Sequence, residues 1–156
     1  MKLKFNINLA LGIFVSLLPF QKVFSQCFQI ESILVNACDN GTSVPVFKDE
    51  GYNEMVRFKV GGSDLNTNFL TVNWSTSNSW LGLVQDATTA SKVATLNADI
   101  LSAGGCGKLI EPTGGVLPAN AKVILVTGSG IDTKLNAFGA ITEDFYIIFH
   151  YSNHKP

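Results

Sequence analysis

A β-sandwich carrying one inserted helix is predicted by three observations. Short runs of β-branched and aromatic residues recur between clusters of Gly, Asn, Asp, Ser and Pro. The clearest run, residues 54–60 (EMVRFKV), alternates Val56, Phe58 and Val60 with Arg57 and Lys59. One segment, Thr88–Ser102, breaks that rhythm by placing Val93, Leu96, Ile100 and Leu101 at helical spacing. Finally, the 131 residues that follow an N-terminal leader are one domain's length, enough to bury a sizeable core. About seven strands punctuated by turns in that length favour two stacked sheets.

The leader is residues 1–25. Lys2 and Lys4 precede an apolar run from Leu9 to Phe20, and Val23 and Ser25 place compact residues at the −3 and −1 positions of a cut ahead of Gln26. This is the pattern of an export signal. The run is 12 residues long, short of the roughly 20 that a helix needs to cross a bilayer, so no transmembrane anchor is expected after cleavage. The domain is therefore 26–156, secreted or held at the outer cell surface. A lipid anchor on Cys27 is not favoured, because Gln26 and Phe24 stand where small and aliphatic residues are needed.

Along that domain, residues 28–37 (FQIESILVNA) read as a largely buried strand with a polar pair, Glu31 and Ser32, at its middle. Asp39–Asn53 is crowded with Asp, Asn, Gly and Pro and reads as a long loop. Residues 54–60 follow as a strand with one dry and one wet face, as in an antiparallel sheet. Gly61–Asp64 makes a turn, and Phe69–Trp74 and Trp80–Val84 are two short strands around a Ser/Thr/Asn connection. The helix Thr88–Ser102 is capped by Thr88 or Thr89 and stopped by Gly104-Gly105. Lys108–Glu111 is a short strand ended by Pro112, and Val116–Asn120 is a turn before the strand Lys122–Thr127. A Gly128–Gly130 turn and a short helical piece around Thr133–Phe138 lead to the dense strand Asp144–Tyr151.

Lys2, Lys4 and Lys22 leave with the leader, which reduces the eleven basic residues to eight against twelve acidic ones, a net charge of −4. Nucleic acid is thereby disfavoured as a partner, since that binding depends on basic groups meeting phosphates. An oxidising compartment permits cysteines to pair. A strand between Cys27 and Cys38 holds them roughly 36 Å apart at about 3.3 Å per residue, whereas a disulfide needs Cα atoms within about 7 Å. A bridge must then include Cys106. Cys38, at the strand's exit into a loop, is the expected partner, with Cys27 the alternative.

Three blocks, in this order, resemble a lamin-tail-type immunoglobulin-like module. They are Ile30–Val35 (IESILV); Glu54–Phe58 (EMVRF) followed by Leu65; and Gly115–Val126 (GVLPANAKVILV). With Trp74, Trp80 and the Cys38 and Cys106 regions, the combination is most similar to modules just after the signal peptide of secreted, gliding-motility-associated bacterial surface proteins. The resemblance implies an immunoglobulin-like sandwich and a non-catalytic adhesion or interaction role, with an unknown protein or glycan of the cell envelope as partner. Arg57 stands where lamin-tail modules commonly carry a second acidic residue. No counterpart of the sorting domain common in that group follows, so the chain reads as a fragment, a stand-alone paralogue or a product released by another route.

No residue is assigned to catalysis, a cofactor or a metal. Asp39, Asp49, Glu50 and Glu54 border the long loop but lack the alternating spacing of a calcium loop. His150 and His154 stand four apart, a spacing that joins imidazoles on a helix but separates them by roughly 13 Å on a strand. His150 is expected half-exposed on the sheet surface and His154 solvated. Ser75, Ser77 and Ser79 lack a nucleophile elbow. Trp74, Trp80 and Tyr52 could face a sugar ring, though core packing accounts for them. The stripe Val93, Leu96, Ile100 and Leu101 is expected to cover the domain's own sheet. A carbohydrate- or calcium-binding module, a small secreted hydrolase and a structural spacer are the alternatives to a protein-binding role. The loops Asp39–Asn53 and Ser75–Ser79 are the expected binding surface.

Overall fold

Residues 28–35, 53–73 and 81–150 are described in this computed structural model of the chain. In chain order they form β1 (Gln29–Leu34), β2 (Met55–Lys59), β3 (Leu65–Asn66), β4 (Leu83–Val84), α1 (Ala87–Ser102), β5 (Leu109–Ile110), β6 (Val116–Leu117), β7 (Lys122–Val126) and β8 (Phe145–His150). One mixed sheet runs β1-β2-β7-β8-β4, with β5 also paired to β8. β3 and β6 form a separate two-stranded ribbon. The body is thus mostly β with one helix, layered in a way consistent with a sandwich-like fold.

β8 explains the layering. Phe145, Ile147 and Phe149 belong to a cluster with Val93, Leu96 and Ile100 of α1. Tyr146 and Ile148 belong to another cluster, which includes Leu65 and Leu117 of the ribbon. A strand covered on both faces needs apolar residues at successive positions rather than alternate ones, and FYIIFH supplies them. The pairings of β8 with β7 and with β5 are parallel, while β1–β2, β2–β7 and β4–β8 are antiparallel. Parallel neighbours require a crossover, and residues 127–144 carry the chain from the end of β7 back to the start of β8.

α1 starts at Asp86, whose carboxylate accepts from the backbone N–H groups of Thr88 (2.8 Å) and Thr89 (3.0 Å). The Thr89 hydroxyl accepts in return from the Asp86 N–H (3.0 Å). This is a reciprocal capping box, so the cap lies earlier than Thr88 or Thr89, and Thr89 answers it from inside the first turn. Gly104, with φ of 85°, ends the helix in a conformation that disfavours other residues.

Gly107 lies where the chain entering β5 passes the residues leading into β8. A methyl group there would stand 2.2 Å from the Glu143 carbonyl oxygen, so only glycine permits the approach.

Several expectations are corrected. β1 exists but is exposed along its whole length rather than largely buried, because it is the edge strand of the sheet. Val116–Leu117, read as part of a turn, pairs with Leu65–Asn66, where no strand was expected. Phe69 begins no strand; it closes a 3-10 turn, Thr67–Phe69, and is exposed. Leu101 is 74% exposed and outside the helix's buried stripe, which includes Thr89 instead. His150 is buried, at 2% exposure, because β4 covers it. No helix among the described residues is long and apolar enough to cross a membrane.

Candidate interaction surface

Among the described residues, β1 presents an apolar side-chain surface that is open to solvent. Its pairing with β2 matches Ile30 with Phe58 and Ile33 with Val56, with a register shift between Ile30 and Ser32. Directly opposed residues share a face of a sheet, and Phe58 and Val56 both belong to the ribbon-side cluster. Ile30 and Ile33, three apart in sequence, therefore face the same way. Strict alternation would have put them on opposite faces. Glu31 is the extra residue of a β-bulge, and it resets the phase so that Phe28, Ile30, Ile33 and Val35 form one apolar row.

That row is open. Phe28 is 44% exposed, Ile30 55%, Ile33 59% and Val35 59%. Phe28 stacks on Phe58 with ring centroids 4.4 Å apart, which anchors one end of the row to the core. A shallow groove lined by Phe28, Val60, Gly61, Ser63 and Leu65 continues it toward the ribbon.

The opposite face of the same strands is charged. Arg57 Nε donates to Glu31 Oε2 at 2.6 Å and its guanidinium lies 5.0 Å from the Phe145 ring centre. Lys122 Nζ lies 6.0 Å from the same centre and donates to Glu143 at 2.5 Å. Lys59 and Lys122 are direct cross-strand partners. Cations over an aromatic face are attracted by its quadrupole, so Phe145 binds together a cluster that like charges would otherwise spread. β1 and β2 thus form an amphipathic margin, greasy on one side and ionic on the other.

The bulge also decides how this margin can bind. A flat edge invites another strand to extend the ladder, whereas a bulge twists and interrupts the unpaired backbone row. The side-chain face, rather than the edge, is the surface on offer.

The residues singled out in the sequence are placed as follows. Cys106 is exposed, its Sγ 3.6 Å from the Thr142 carbonyl oxygen; its expected partner Cys38, and Cys27, lie outside the described residues. So do Asp39, Asp49, Glu50, Tyr52, Trp74, Ser75, Ser77, Ser79, Trp80 and His154, and with them both loops expected to bind. Glu54 serves the fold through its backbone carbonyl, which accepts from Thr127 N and Thr127 Oγ1, each at 3.0 Å. His150 is held between backbone groups: Leu81 N–H donates to Nε2 at 3.2 Å, and Nδ1 lies 3.3 Å from the Thr127 carbonyl oxygen. No group of three or more His, Cys, Asp or Glu among the described residues is placed to share a metal ion. The exposed β1 row was missed because its residue types read as core. The polar pair Glu31-Ser32 at its middle was the available signal, since it breaks the alternation where the bulge falls. Comparison with protein-family models, curated proteins and solved structures gave no match.

Proposed function

We propose that the chain is an exported, immunoglobulin-like β-sandwich of lamin-tail type that acts as a non-catalytic adhesion or interaction module at or outside the bacterial surface. The leader at 1–25, the three resembling sequence blocks and the mostly β, layered body support this reading. The observation that carries it is the open apolar row Phe28, Ile30, Ile33 and Val35 on β1. A contiguous exposed apolar surface on a folded domain marks a contact site.

An apolar row suits a protein surface better than a hydroxyl-rich sugar, so of the two envelope partners expected a protein is preferred. Burying what remains exposed of these four side chains contributes about 4 kcal/mol, close to the low end of what association costs. The row alone makes a weak contact. Weak contacts suit a module displayed in many copies, where avidity supplies the strength.

The test is co-sedimentation of residues 26–156 with bacterial envelope preparations, comparing the native sequence with an Ile30→Lys/Ile33→Lys variant. The native protein should sediment, protease treatment of the envelopes should abolish this, and the variant should stay in solution while unfolding at an unchanged denaturant midpoint. Failure of the native protein to bind, or equal binding by the variant, would overturn the reading; binding that survives protease but not glycan oxidation would move the partner to a glycan.

A further inference from the structure

We propose that Lys59 and Lys122 form a binding site for a single carboxylate, carried by an acidic side chain or the chain terminus of a polypeptide partner. The two lysines are direct cross-strand partners on β2 and β7. That pairing sets their Cβ atoms about 5 Å apart on one face, and like charges so opposed destabilise a sheet. Folded chains break such local rules chiefly at functional sites. Lys122 is relieved in part, by Glu143 and by the Phe145 ring. Lys59 is not.

Among the described residues no carboxylate pairs with Lys59, and its partner on the other side, Gln29 of β1, is neutral. The acidic groups at this end of the sheet are engaged elsewhere. Glu31 holds Arg57 and Glu143 holds Lys122; Asp144 accepts from the Lys108 N–H at 3.0 Å and Asp64 from the Ala119 N–H at 2.8 Å. Arg57, Lys59 and Lys122 set against Glu31 and Glu143 leave one positive charge over. That surplus selects the ligand. A carboxylate brings one negative charge on two oxygens, enough to accept from both lysines at once. A polyanion matches poorly, because its further charges would meet Glu31 and Glu143 beside the cations, on a domain whose net charge over residues 26–156 is −4. The site is on the face opposite the apolar row, so its occupancy is measured without reference to that row.

Acetate is the probe, titrated into the protein at constant ionic strength. Side-chain NMR signals of Lys59 and Lys122 should shift saturably, while those of Lys92, whose Nζ donates to the Ile131 carbonyl, should not. Lys59→Gln should weaken acetate binding about tenfold or more, the factor for one charge-assisted hydrogen bond. The same variant, relieved of a like-charged neighbour, should unfold at an unchanged or higher denaturant midpoint in low salt without acetate. Absence of a saturable shift, equal acetate binding by Lys59→Gln, or a lower midpoint for that variant would each overturn the site. Tighter binding of inorganic sulfate or phosphate than of acetate at the two lysines would overturn the carboxylate assignment and move the ligand to a sulfated or phosphorylated polymer.

Discussion

Asn97 on α1 and Leu109 on β5 exchange two hydrogen bonds: Leu109 N–H donates to Asn97 Oδ1 at 2.7 Å, and Asn97 Nδ2 donates to the Leu109 carbonyl at 3.0 Å. A side-chain amide has the same donor and acceptor as a peptide, so Asn97 stands in for a neighbouring strand and completes a two-residue strand whose one sheet partner among the described residues is β8. It also fixes the helix over the sheet, since the pair joins the two layers.

Replacing that amide should be costly out of proportion to its size. Asn97→Leu would leave a part-buried N–H and carbonyl without partners, at about 1–3 kcal/mol, and should lower the urea midpoint with an unchanged slope. Asn97→Asp keeps the acceptor but turns an oxygen toward the Leu109 carbonyl, so it should restore only part of the loss. Equal stability of all three proteins would show that the pair does not join the layers.

Gly107 leads to a second expectation. A methyl group at 2.2 Å from Glu143 O and 2.6 Å from Glu143 N meets the Glu143 backbone, which a rotamer change cannot relieve. Gly107→Ala must push β5 away from the residues that enter β8, at a cost of the order of 1–3 kcal/mol for overpacking. Gly114→Ala meets nothing within 4 Å but sits at φ of 61°, so it should lose about 1 kcal/mol for the backbone conformation alone. Thermal unfolding of both variants against the parent separates the steric cost from the conformational one.

The strands with long, regular patterns were legible in the sequence, and the reason is physical. β2, β7, β8 and α1 each have enough residues for period to show, and each packs against something that enforces it. β3 and β6 are two residues long, and a pair has no period; β4 and β5, equally short, fall within the expected strands Trp80–Val84 and Lys108–Glu111, but the partners of all four are decided by contacts such as Gly115 beside Thr67 or Asn97 beside Leu109. Parallel pairing of β7 with β8 was equally hidden, because FYIIFH signals burial on both faces without saying which way its neighbour runs. β1 failed in the other direction: residue type reports what a side chain prefers, while exposure depends on the strand's place at the sheet's margin.

The ionic side of that margin should prove unequal in its parts. Glu31 and Arg57 form an ion pair with side chains 24% and 42% exposed, so Glu31→Gln should cost only about 0.2–1 kcal/mol and less in salt. Arg57→Ala removes the pair together with the guanidinium over Phe145 and the stem that shields the sheet, and should exceed the Glu31 effect by about 0.5–1 kcal/mol. Arg57→Lys should fall between. A double-mutant cycle in low and high salt checks the division: the coupling to Glu31 should shrink with salt while the remainder of the Arg57 effect persists.

Asn53 allows a prediction about the crossover between β7 and β8. It is 4% exposed, and its Oδ1 accepts from the Asp132 N–H at 3.0 Å and from Asn136 Nδ2 at 2.8 Å. These bonds hold the loop beside Ile131, which is fully buried in the helix-side cluster and whose carbonyl accepts from Lys92 Nζ at 2.5 Å. The loop is thus pinned at both edges of one core residue, by the segment before β2 and by the helix. Asn53→Ala removes the first pin and should raise hydrogen exchange at Asp132 about tenfold while Ile147 in β8 stays protected. Asn53→Asp keeps an acceptor in place for both donors and should leave Asp132 closer to native exchange. Should Asn53→Ala instead loosen Ile147 as much as Asp132, the crossover and the sheet would be one cooperative unit, and the pin would have no local role.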